Sequence, residues 1–130
     1  MQPFLEFVEG IESGITMARE VTVSGKTDPV VSDSKVLIFS PHPDDECITG
    51  LLPLRLMREA GMQIINIPVT FGSVAERQAG RSEELENACA YLGWDIHRER
   101  ENFQSLEVND VLSILQKFEP EIIIMPHSKD

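Results

Sequence analysis

Six consecutive residues, Pro41-His42-Pro43-Asp44-Asp45-Glu46, bring an imidazole and three carboxylates together directly after an apolar run. Prolines on both sides of His42 fix φ at their own positions and bias the residue before each toward extended backbone, which makes the loop stiff. Stiffness suits a metal site. An imidazole nitrogen and a carboxylate oxygen three positions apart, from His42 and Asp45, are able to reach one Zn²⁺ at about 2.0–2.2 Å, leaving Asp44 to face a metal-bound water. Zinc lowers the pKa of such a water to about 7 and polarises a carbonyl; a neighbouring carboxylate accepts the proton and later passes it to a leaving amine. That combination hydrolyses amides. The plainer alternative is a solvated turn in which Asp44 or Asp45 caps the next helix. Two carboxylates beside a histidine, at the carboxyl edge of a sheet, repel one another and require an offsetting charge, which adds weight to the metal and leaves the turn open.

The elements around this stretch determine whether it is held at such an edge. Val36-Leu37-Ile38-Phe39 is an unbroken apolar run, as expected of a strand buried on both faces in a parallel sheet. Cys47 to Ala60 reads as a helix that packs back on that strand, with Ile48, Leu51, Leu52, Leu54, Leu56 and Met57 as its apolar residues, Pro53 near its first turns and Gly61 as its C-cap. A second strand is expected over Ile64 to Val69, followed by the loop Thr70-Phe71-Gly72-Ser73. Val74 to Leu92 is a second helix with Leu85, Ala88, Cys89 and Leu92 inward and Gly93 closing it. Trp94 to His97 reads as a short strand. Val108 to Phe118 is a helix with Val111, Leu112 and Leu115 inward, and Glu121 to Met125 is a fourth strand. Strands alternating with helices imply right-handed crossovers, and hence an α/β, Rossmann-like three-layer fold with a mainly parallel sheet. Such sheets place ligands outside the carboxyl ends of their strands, where Ser40 to Glu46, Thr70 to Ser73 and Pro126 to Asp130 should converge. Ahead of the sheet, Phe4, Val8, Ile11 and Ile15 recur at helical spacing after Pro3, and Ser24 to Ser34 reads as a linker.

The six-residue stretch following Val36-Leu37-Ile38-Phe39-Ser40 closely resembles the signature of the PIG-L, or LmbE-like, deacetylase family, which removes acetyl groups from N-acetylglucosamine-type conjugates with zinc. The resemblance implies that His42 and Asp45 bind Zn²⁺ and that Asp44 is the general base. It continues in Arg81, Glu84, Ala88 and Leu92-Gly93, which look like the family's Arg-x-x-Glu helix ending in Leu-Gly, and in Thr70-x-Gly72 after the second strand. Residues 35–130 are thus read as the amino-terminal part of such a domain, and residues 1–34 as a preceding helix and linker. The resemblance also makes Arg81 and His127 substrate-binding neighbours of the site. For Arg81 the plainer reading is an exposed ion pair with Glu84, worth a few tenths of a kcal/mol. Glu46 is either an acceptor orienting His42 or a favourable charge at a helix start. Cys47 reads as a small core residue and His97 as a surface histidine.

A hydrolytic zinc site needs three protein ligands and an open position. The family's third ligand is a histidine after a later strand, expected here a few residues beyond Asp130, with the fold incomplete at its carboxyl end. The last strand should accordingly leave an exposed sheet face or edge, covered by the missing half or by a partner copy in a homo-oligomer. A net charge of −11 argues against phosphate-backbone binding, so the expected partner is a small amino sugar and not nucleic acid. Two cysteines without disulfide or CxxC spacing, no signal-like start and no apolar run of membrane length point to a cytoplasmic protein with no membrane span. The competing function is a noncatalytic sugar- or nucleotide-binding domain on the same sheet, although no GxGxxG or Walker-type loop accompanies it.

Overall fold

The computed structural model describes residues 33–42 and 51–126, together with Gln2, Leu5, Glu6, Glu9, Gly10 and Ser13. Those six early positions are helical, in line with the expected first helix, while its apolar positions Phe4, Val8, Ile11 and Ile15 and the linker up to Ser32 lie outside the described residues. The main body runs β1 (Lys35–Ser40), α1 (Leu51–Ala60), β2 (Gln63–Pro68), α2 (Ala75–Leu92), β3 (Asp95–Ile96), α3 (Val108–Phe118) and β4 (Ile122–Ile124).

All strand pairings are parallel, in the order β3-β2-β1-β4. β1 is central: Leu37 lies level with Ile65 on one side and Ile123 on the other. Val36, Leu37, Ile38, Phe39 and Ser40 are all buried, because both faces of the strand are covered and both edges are paired. Alternation of side chains then divides the interior in two. Val36, Ile38 and Ile64 pack with Met62, Phe71, Leu85, Cys89 and Trp94, against Leu54, Leu56 and Met57 of α1 and Leu92 of α2. Leu37, Phe39, Ile65 and Ile67 pack with Ile114, Val111, Leu115 and Phe118 of α3. Helices therefore cover both faces of a parallel sheet, giving the doubly wound, three-layer architecture.

Local chemistry sets the ends of the elements. Gly93 sits at φ +76°, the left-handed position that ends α2, and its N–H bonds the Ala90 carbonyl while the Trp94 N–H reaches the Cys89 carbonyl at 2.9 Å. Pro53 is fully buried within α1. At the start of α3 the Glu107 N–H donates to Asp110 Oδ2 at 2.7 Å, and Arg100 Nε donates to the same oxygen at 2.6 Å.

Several details depart from the sequence reading. β2 lies one residue earlier than expected, and only two residues pair in β3. Residues 47–50 of the helix expected over Cys47 to Ala60 lie outside the described residues, and Leu51 and Leu52 are exposed. On α3 the inward residue is Ile114, while Leu112 is 54% exposed. Positions 111, 114, 115 and 118 make one stripe at helical spacing, and residue 112 is turned about 100° from residue 111, off that stripe. In β4 Ile123 is exposed, as is Met125 just after it.

Leu85→Ala, which empties a fully buried position against the sheet, should cost about 3 kcal/mol in urea unfolding, and Leu112→Ala well under 1 kcal/mol. A second expectation concerns pH. The Glu107 N–H, and after it the Arg100 guanidinium, hold the Asp110 carboxyl below its ordinary value near 3.8. A depressed carboxyl stabilises the fold above its unfolded value, and that contribution disappears as pH falls through the folded value. The gap in urea midpoint between wild type and Asp110→Asn, open at pH 7, should therefore close below about pH 4.

Candidate functional site

The direction in which strands are added reverses at β1. The chain steps outward from β1 to β2 to β3, then crosses the other face through α3 to lay β4 on the far side of β1. This is the switch point at which open α/β sheets bind ligands, between the carboxyl ends of β1 and β4. Pro41 and His42 leave β1 at that place, and His42 is exposed. Their point of departure is fixed, since the Ser40 carbonyl accepts the Val69 N–H at 2.8 Å and so binds the end of β1 to the end of β2. On the other side, Ile124 lies level with Ile38, so Met125 and Pro126 emerge beside the β1 terminus. Three strand-end loops thus begin side by side.

The loop after β2 is held by α2. The Gly72 N–H donates to Thr70 Oγ1 at 3.1 Å, Gln78 Nε2 donates to the Gly72 carbonyl at 2.7 Å, and Arg81 Nη1 donates to the Phe71 carbonyl at 3.0 Å. Gly72 is at φ +85°, and a Cβ there would fall on Arg81 Nη1. Glycine is required twice over, by its backbone conformation and by the close guanidinium. The Phe71 ring is buried, edge-on to Phe103 with centroids 5.3 Å apart, and Arg98 lies 5.7 Å from its centroid. Arg98 in turn bonds Ser82 Oγ and Glu86 Oε1, each at 2.7 Å.

Of the five residues singled out by sequence for the site, the structure describes two. His42 lies at the carboxyl edge of the central strand. Arg81 reaches the neighbouring loop and is spent partly on the Phe71 carbonyl instead of pairing with Glu84, which leaves Nε and Nη2 without protein partners among the described residues. Asp44, Asp45 and His127, with Glu46 and Cys47, lie outside the described residues. Among the described residues no group of three or more His, Cys, Asp or Glu side chains is placed to hold a metal.

Two features escaped the sequence reading. Gln78 shares a helix face with Arg81 at i,i+3 spacing, which was the available signal. His97 is not a surface histidine. Its N–H bonds the Asn66 carbonyl at 3.0 Å, its Nε2 lies 2.7 Å from Glu99 Oε2, and its ring meets Phe118 edge-on at 5.0 Å. A carboxylate two residues along an extended segment lies on the same side, and that spacing was legible.

The fold and the order of its strands define an α/β protein of the doubly wound class. Residues 37–130 match the PIG-L family, described as GlcNAc-PI de-N-acetylase, and the chain belongs to that family, whose members are deacetylase or hydrolase-type enzymes. No curated protein matches the chain significantly. The crystal structure of GalB, the 4-carboxy-2-hydroxymuconate hydratase from Pseudomonas putida KT2440, is similar with a TM-score of 0.53 at 19% identity, over 69% of this chain and 45% of that one. That likeness concerns the fold, and the chain spans less than half of the hydratase's length. No helix among the described residues is long and apolar enough to cross a membrane.

Gly72→Ala should displace the Arg81 guanidinium and strain the left-handed turn, at a cost of about 1–3 kcal/mol. Hydrogen exchange at Phe71 to Ser73 should quicken, and the core amides of β1 should change less.

Proposed function

We propose that the chain carries part of a zinc-dependent hydrolase site that removes the N-acetyl group from an N-acetylglucosamine-type amino sugar conjugate. The observation that carries this reading is an exposed His42 at the switch point, at the end of the central strand and inside the span matched by the family. The residues fit the metal by donor type: an imidazole from His42 and a carboxylate from Asp45 are ligands that Zn²⁺ accepts, and a third ligand is expected from outside the described residues. When bound, Zn²⁺ supplies Lewis acidity at the amide carbonyl and lowers the pKa of water to about 7.

The chain's own groups do the rest. His42 and Asp45 orient the ion, and the prolines beside His42 keep the loop from collapsing when the ion is absent. Asp44 takes the proton of the attacking water and returns it to the departing amine, which leaves as the free amino sugar while acetate is released. Arg81, with Nε and Nη2 available beside the Thr70 to Gly72 turn, meets sugar hydroxyls or an anionic part of the conjugate, and His127 is assigned to the same substrate.

Zinc content and free-amine release from N-acetylglucosamine conjugates should be compared for wild type, His42→Ala and Asp44→Asn. The first variant should lose the metal. The second should retain it and turn over at least about 10²-fold more slowly. A His42→Ala protein that holds zinc as well as wild type would remove the basis of the assignment.

A further inference from the structure

Among the described residues, the buried side-chain atoms without a hydrogen-bond partner are Ser40 Oγ, Asn66 Oδ1, Asn66 Nδ2 and Trp94 Nε1. Ser40 and Asn66 are completely buried, and Trp94 is nearly so. Native interiors leave very few such groups unsatisfied, and here they gather on three adjacent strand paths.

They also share one face of the sheet. Alternation along β1 puts Ser40 on the side of Val36 and Ile38, alternation along β2 puts Asn66 on the side of Ile64, and Trp94 packs in the same cluster beneath α1 and α2. The register arranges them in a diagonal. Ser40 lies level with Pro68, so Asn66 is two residues back on the neighbouring strand; Asn66 lies level with Ile96, so Trp94 is again two residues back on the next. A strand spacing of about 4.8 Å and a two-residue rise of about 6.6 Å separate successive Cα atoms by about 8 Å. The unpartnered polar atoms along this diagonal supply the two or more partners that an internal water needs.

We propose that Ser40, Asn66 and Trp94 form a binding site for a file of internal water molecules that runs beneath α1 and α2 and ends at the β1 terminus, two residues before His42. The hydrogen-bond directions close. The Trp94 indole N–H only donates, so it must meet a water oxygen, and that water donates a hydrogen bond to Asn66 Oδ1. Asn66 Nδ2 donates to a second water, which is shared with the Ser40 hydroxyl, a group able to give and accept. This site rests on the strand register and burial, and holds whether or not the hydrolase reading does.

The test uses the whole 130-residue chain, with water itself as the probe. Nuclear Overhauser experiments should show cross-peaks from long-lived water to the Trp94 indole N–H and to the Asn66 side-chain amide. Asn66→Leu should abolish the water cross-peak at the indole, because the file is interrupted. Absence of both cross-peaks in the wild-type protein would overturn the proposal, and this reading needs no variant to fold. An indole cross-peak that persists unchanged in Asn66→Leu would also overturn it, since the waters would not then be shared.

Discussion

The structure depends on the burial of β1 on all sides. A strand with apolar side chains on both faces must have a layer of helices above and below it, and its backbone groups must be paired along both edges. β2 and β4 meet the second requirement, and α1 with α2 on one side and α3 on the other meet the first. Because one strand cannot be covered on both faces by consecutive crossovers in the same direction, the chain has to reverse its course, and the reversal takes place at β1. The location of the switch point is thus a by-product of how the central strand is hidden from water.

The same constraint explains why the loops differ in how they are held. The end of β1 is tied to β2 through the Ser40 carbonyl and Val69 N–H, so His42 starts from a fixed point. The loop after β2 is tied at its start by the same bond and by the Leu106 N–H on the Val69 carbonyl, and beyond that α2 holds it with Gln78 and Arg81, each capturing a carbonyl. Arg81 thereby serves the loop with one part of its guanidinium. A guanidinium has five N–H groups, and one of them suffices for Phe71.

Much of this architecture was legible in the sequence because the signals were local. The apolar run at Val36 to Phe39 named a central strand, Gly93 named the end of α2, and the limits of α3 were read to the residue. The errors have a common origin in choices made by tertiary packing. Leu112 and Ile114 are equally apolar, and only the angle at which α3 lies on the sheet decides that Ile114 goes in and Leu112 stays out. Asn66 carries no mark of burial, being a polar residue in the middle of a strand whose neighbours exclude water. At the strand ends, the sequence placed His42 after the central strand, where the structure has it, whereas the capture of the Phe71 carbonyl by Arg81 depends on how close helix and loop approach, which spacing alone does not encode.

The chain has one tryptophan and one tyrosine, and their surroundings are opposites: Trp94 is sealed into the layer of α1 and α2, while Tyr91 is 91% exposed. The intrinsic fluorescence of the protein is therefore a report from one interior only. Loosening of the α1 and α2 layer will shift the emission toward longer wavelength as the indole meets solvent, while a disturbance confined to the α3 layer passes almost unseen. A melting curve followed by tryptophan emission is weighted toward one side of the sheet, and an independent signal from the other side is needed to learn whether the two halves part together.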